Sequence, residues 1–132
     1  MKAQFLEHLA VSRDYTLNVA SLMPEEAYEF SPAPGVWNFR ELMLHIAYGI
    51  HWWKDNYILE QETPWAPPSA EGNKAQIRKE LEAAYASLEK TVAGSGDIHN
   101  GFHATLDHIS HHRGQATIFL RMQGIEPPAY NF

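Results

Sequence analysis

Apolar positions along this chain recur with the period of a helix and nowhere alternate as they would in a strand. In residues 2 to 22, Leu6, Leu9, Ala10, Leu17 and Ala20 fall on one stripe, and Pro24 ends the pattern. The stretch FSPAPGVWN, residues 30 to 38, holds two prolines and a glycine and cannot be helical throughout. Asn38 followed by Glu41 has the form of a capping box, so a second helix is expected from about Phe39 to Leu59. From Glu60 to Gly72, Pro64, Pro67 and Pro68 enforce an extended connection, in which Trp65 is expected to be pinned against the body of the protein. Asn73 starts a third helix, with Ile77, Leu81, Ala84, Leu88 and Val92 on one face and GSGD at 94 to 97 as its stop and as the cap of the next. The fourth is expected from about Ile98 to Gln123, with Gly124 as C-cap and EPPAYNF as a non-helical tail folded back over the bundle end.

These elements predict an all-α fold, a four-helix bundle in one domain spanning residues 1–132, with long connections after helices 1 and 2. Those long connections permit a topology other than simple up and down, whereas the short third connection predicts that helices 3 and 4 are antiparallel neighbours. Composition narrows the chemistry. Sixteen acidic residues against ten basic ones, interspersed, give a net charge of −6 and argue against a nucleic-acid surface. With Lys2, Glu7, Arg13 and Asp14 the first residues offer neither the apolar core nor the cleavage site of a signal peptide, and no run reaches membrane-spanning length, so a soluble cytoplasmic protein is expected. There is no cysteine, so histidines, carboxylates and hydroxyls must do any chemistry, and reactive sulfur must come from a cofactor or substrate.

Eight histidines occur, five of them between His99 and His112. On a wheel of about 100° per residue, His108 and His112 form an i, i+4 pair flanking the stripe of Ile98, Phe102, Ile109, Ala116 and Leu120. His45 takes the same offset from the stripe of Phe39, Leu42, Ile46, Ile50, Trp53 and Tyr57 on helix 2, while His51, His99, His103 and His111 point out or sideways. Two facing helices can therefore build a three-histidine metal site with positions left open for water or substrate. Gly49 would leave room there for an incoming molecule, and Trp52 would form a wall. On spacing alone a plainer reading leads: His108 and His112 sit at the solvent edge of the core and His45 is a hydrogen-bonded interior histidine.

Two segments, FSPAPGVWNFRELMLHIA at 30 to 47 and LDHISHHRGQATIFLRMQGIEPPAY at 106 to 130, resemble the DinB family, also known as the DinB/YfiT-like metalloenzymes, in order and spacing over nearly the whole chain. The resemblance implies a four-helix bundle, commonly a homodimer, that holds a divalent transition metal (zinc, nickel or iron) through His45, His108 and His112. It also implies a class that includes thiol-dependent transferases and isomerases; the stress-related family name does not establish a DNA-repair role.

Arg113 turns into the apolar sector, where an ion pair with a carboxylate of another helix is favoured over a substrate clamp. Gln115 lies beside the histidine pair and either hydrogen-bonds a ligand imidazole or packs at the core edge. Asp107 points outward, and Tyr48, Trp52 and Trp53 suit core or dimer surface better than pocket. Helix 4 lacks the glutamate of HExxH, since Ile109 follows His108, which disfavours a zincin-type protease. The expected function is a metal-dependent transferase activating a low-molecular-weight thiol for a small-molecule substrate, with a metal-dependent hydrolase or a non-enzymatic, stress-responsive metal-binding dimer as alternatives. Metal affinity is expected to weaken below about pH 6, where free imidazole protonates.

Overall fold

In the computed structural model, which describes residues 2–131, four α-helices form: α1 (Lys2–Leu22), α2 (Phe39–Trp53), α3 (Lys74–Gly94) and α4 (His99–Met122). A short 3₁₀ turn, Glu25–Glu29, interrupts the first connection. Two of the expected N-caps are complete capping boxes: Asn38 with Glu41 on α2, and Asn73 with Gln76 on α3. The third differs: α4 starts after Ile98 with no side-chain bond from that position, and Asp97 Oδ1 only accepts from the His99 amide at 3.2 Å. Gly124 ends α4 with a φ of 74°, the left-handed backbone that glycine adopts without strain.

Contacts along the helices fix their directions. Lys2 Nζ donates to the Ala93 carbonyl at 3.1 Å and Lys74 Nζ to that of Ser21 at 2.7 Å, so α1 and α3 run antiparallel. The Phe39 ring packs near Phe119 while the Tyr57 carbonyl meets Gly101, so α2 and α4 are antiparallel too. Phe5 against Phe102 and Tyr15 against Arg113 make α1 parallel to α4. Arg40 bonded to Gly72 and Lys54 bonded to Ser87 make α2 parallel to α3. The order is up, down, down, up, and the long proline-rich connection lets the parallel pair α2 and α3 lie side by side. Both α1 and α2 pack on α3 and on α4.

The short third connection does not produce the packed neighbours expected of it. α3 and α4 lie diagonally across the bundle, because each buries its apolar stripe between α1 and α2. Another difference is the face that α1 buries. Leu9 and Ala20 are inside as expected, but Leu6, Ala10 and Leu17 are only half-buried, and Ser12 and Thr16 take the centre with Tyr15 and Val19. Their hydroxyls meet the buried Tyr85 hydroxyl at 3.0 and 2.8 Å, which satisfies three polar groups inside an apolar core. Hydropathy alone puts such residues on the wrong side.

The second helix does not continue regularly to Leu59. After Trp53 it widens into a π-turn, Lys54–Ile58, closed by the Leu59 amide donating to the Lys54 carbonyl at 3.0 Å. The buried Lys54 reaches Ser87 Oγ at 2.7 Å and Asp55 at 3.2 Å. This swelling presses the Tyr57 carbonyl onto α4 at Gly101, where a Cβ would lie 2.7 Å from the carbonyl carbon. Among the described residues no helix is long and apolar enough to cross a membrane.

Candidate metal centre

Capping at Asn38 sets the start of α2, and seven residues later the chain presents His45 toward α4. There its Nε2 lies 3.2 Å from His108 Nε2 and 2.9 Å from His112 Nε2. One nitrogen from each ring falls within a sphere of mutual distances no larger than 4.8 Å, so the three residues chosen from the helical wheel form a group that can hold a metal ion. Zinc bonds of about 2.0–2.1 Å at tetrahedral angles would put neighbouring nitrogens roughly 3.3 Å apart, close to the two spacings from His45 to its partners. The donor set is all imidazole, and it suits a divalent transition ion better than calcium or magnesium.

Each ring is held by a different means. For His112 it is a hydrogen bond, Nδ1–H donating to Gln115 Oε1 at 2.9 Å, which leaves the Nε2 lone pair facing its two partners. For His45 it is tilted ring contact, with Trp37 at 4.5 Å and Trp65 at 5.3 Å between ring centres. For His108 it is packing. Its Nδ1 is buried with no hydrogen-bond partner, and its ring lies against Trp53 and the backbone of Gly49.

All three rings are half-buried and favour the neutral, ligand-ready form. Burial, then the neighbouring His112, pushes His45 down to about 4. Burial first, then His112, His45 and His111, brings His108 down to about 4 as well. Burial also lowers His112, opposed by the bond to Gln115 and reinforced by His111.

The sequence profile of the DinB superfamily matches residues 8–116. The chain belongs to the DinB superfamily. Its fold is similar to that of a DinB-like protein from Bacillus cereus ATCC 10987, with a TM-score of 0.81 at 17% identity over 96% of this chain and 95% of that one. A DinB-like protein from Bacillus subtilis gives a TM-score of 0.76 at 16% identity, covering 97% and 98%. No curated protein matches the chain.

Several details of this DinB site depart from the sequence-based expectation. Gly49 does not leave space for an incoming molecule; the His108 ring occupies it. Trp52 does not touch the histidines: its indole donates to the Thr63 carbonyl at 3.1 Å and it buttresses Trp53 and Trp65 from behind. The rings that do wall the site are Trp37, Trp53 and Trp65, the last still 43% exposed. Trp37 was hidden in a connection with no periodicity to place it. His51 is half-buried rather than turned away, and it lines a cavity of about 330 Å³ with His45, Tyr48, Glu41, Glu80 and Trp37. Tyr48 secures the loop over that cavity, its hydroxyl accepting from the Ala66 amide at 2.9 Å. On the other side of Trp37 a second cavity of about 510 Å³ is bounded by Val36, His112, Gln115, Ile118 and Phe119. The histidine group is thus reached from two directions, one carrying carboxylates and one uncharged.

Arg113 is buried as expected, but no carboxylate pairs with it among the described residues. Its guanidinium lies over the Tyr15 ring, 4.6 Å from the centroid. Asp107 is exposed, and the tail folds back so that the Pro128 carbonyl accepts from Tyr15 Oη at 3.1 Å.

Proposed function

We propose that this DinB-superfamily protein is a metal-dependent enzyme that activates a low-molecular-weight thiol for transfer to an electrophilic small molecule. The observation that carries the reading is the convergence of three neutral imidazole nitrogens in a group containing no carboxylate. When bound, a zinc, nickel or iron ion in such a site keeps its charge and supplies the Lewis acidity that stabilises an anionic sulfur as it forms. His45, His108 and His112 would hold the ion; Gln115 keeps the proton of His112 on Nδ1 and away from it. Trp37, standing between the two cavities, orients two reactants on either side of the centre. Trp65 and Trp53 shield it from bulk water, and the chain contributes no thiol of its own. A homodimer in the cytoplasm is part of the same reading, with the exposed Tyr57 as surface for a second copy.

Hydrolysis is the second reading, favoured by Glu41 lining the same cavity as His45. Against it, Glu41 Oε1 already accepts the Asn38 amide proton at 3.0 Å, which commits that carboxylate to the helix cap. The test supplies metal-loaded protein with an electrophile and a panel of small thiols. Thiol consumption that requires the metal and vanishes in His108→Ala is expected. Metal-dependent turnover with water alone would replace the transferase by the hydrolase, and stoichiometric metal with neither activity would leave a binding protein.

A further inference from the structure

On the opposite flank of α4 from the histidines' cavities, the chain buries a cation that no described carboxylate pairs with. Arg113 is only 7% exposed, and its Nη1 is inaccessible and has no hydrogen-bond partner. The Tyr15 ring covers one face of the guanidinium but accepts nothing from the donors along its edge. A guanidinium taken out of water needs a counter-charge or a set of acceptors, and the described residues provide neither.

The same side chain lines a cavity of about 260 Å³ between α1, α4 and the folded-back tail. Arg121, about two turns further along α4, lines it as well, with Ser110, and the prolines of the tail form its roof. The hydrogen bond from Tyr15 Oη to Pro128 holds that roof in place. Among the described residues no carboxylate lines the cavity, although the chain as a whole carries sixteen acidic residues against ten basic ones. Among the described residues the charged groups lining it, Arg113 and Arg121, are both positive, and it shares no lining residue with either cavity beside the histidines.

We propose that this cavity binds a small oxyanion, the carboxylate or phosphate group of a small molecule, held by the guanidiniums of Arg113 and Arg121, both of which line it. The planar fork of arginine matches two oxygens of either group at once, and the volume admits a small molecule, not a polymer. The site is independent of the metal centre and stands whether or not the protein proves to be a thiol transferase.

The experiment titrates inorganic phosphate and, separately, acetate into the protein at constant ionic strength, reading the arginine Nε–H resonances by NMR. Saturable shifts at Arg113 and Arg121 are expected, and whichever probe saturates at the lower concentration identifies the preferred group. Arg121→Gln, a change at an exposed residue that spares the core, is expected to weaken binding about tenfold or more. Arg78→Gln on α3 makes the same change in net charge far from the cavity and is expected to leave binding unaltered. Arg113→Lys keeps the charge but removes the fork, and is expected to weaken binding where the variant folds. Absence of saturation with both anions, or equal weakening by Arg78→Gln and Arg121→Gln, would overturn the proposal.

Discussion

The ring of His108 sits where the side chain of residue 49 would be: a Cβ on Gly49 would lie 2.8 Å from His108 Nδ1 and closer still to Cε1. The absence of one methyl group on α2 therefore decides where a nitrogen from α4 can go. Gly49→Ala must push the ring aside, and because a side chain rather than backbone yields, the bundle should survive. Metal affinity should fall by about 10- to 100-fold, the range seen when groups supporting a ligand are disturbed, with little change in the helical signal. Competition against a chromophoric chelator, paired with circular dichroism, checks both halves. Unaltered affinity would show that the ring is not positioned by this contact.

Gln115 acts on His112 through a single hydrogen bond, 2.9 Å from Nδ1 to Oε1. Gln115→Ala frees the ring to rotate and its proton to move to Nε2, where it would compete with an ion. Because residue 115 is exposed, water can replace the lost acceptor, so a loss near the lower end, about tenfold, is expected in the same chelator assay. Gln115→Glu keeps an acceptor at that place and should retain the affinity.

Two glycines of α4 should respond to alanine with opposite signs. Nothing lies within 4 Å of the point where a methyl group on Gly114 would stand, so Gly114→Ala should stabilise the fold by about 0.5–1 kcal/mol through helix entropy. At Gly101 the methyl would strike the backbone carbonyl of Tyr57, which cannot swing away, and Gly101→Ala should destabilise by about 1–3 kcal/mol. Urea denaturation of the two variants beside the parent decides the matter. Stabilisation by both would mean that the π-turn yields easily to α4.

Periodicity was enough for the helices and for the three histidines, because a helical wheel encodes direction relative to a core stripe, and His45, His108 and His112 share one offset. It failed where direction depends on something other than hydropathy. Ser12 and Thr16 turn inward because the Tyr85 hydroxyl needs partners, a long-range fact absent from the local pattern. Trp37 and Trp65 lie in connections without a period, so their approach to His45 could not be read. Loop length likewise misplaced α3 beside α4, since Ser95 to Ile98 suffices to cross the bundle end. That no described carboxylate pairs with Arg113 was invisible for the same reason: burial is local, pairing is not.

Acid should act on the metal-free fold and on metal binding in different windows from those of free imidazole. His45 and His108 titrate near 6.5 when unfolded but are held down to about 4 in the fold, chiefly by burial. Between those values the unfolded chain binds more protons than the native one, so stability falls as pH drops from about 6.5 toward 4. Above 6.5 the contribution of these two groups is fully present, and below about 4 it is spent. His45 and His108 stay neutral well under pH 6 and His112 is lowered in the same direction, so protons should displace the ion at a lower pH than the value near 6 expected from unperturbed histidine. Urea titrations of metal-free protein across this range, beside metal retention measured by dialysis and elemental analysis, test the two statements separately. His108→Ala should flatten the stability slope between pH 6.5 and 4. Ion loss already half complete at pH 6 would mean that the rings titrate as ordinary exposed histidines, and that burial does not hold them neutral.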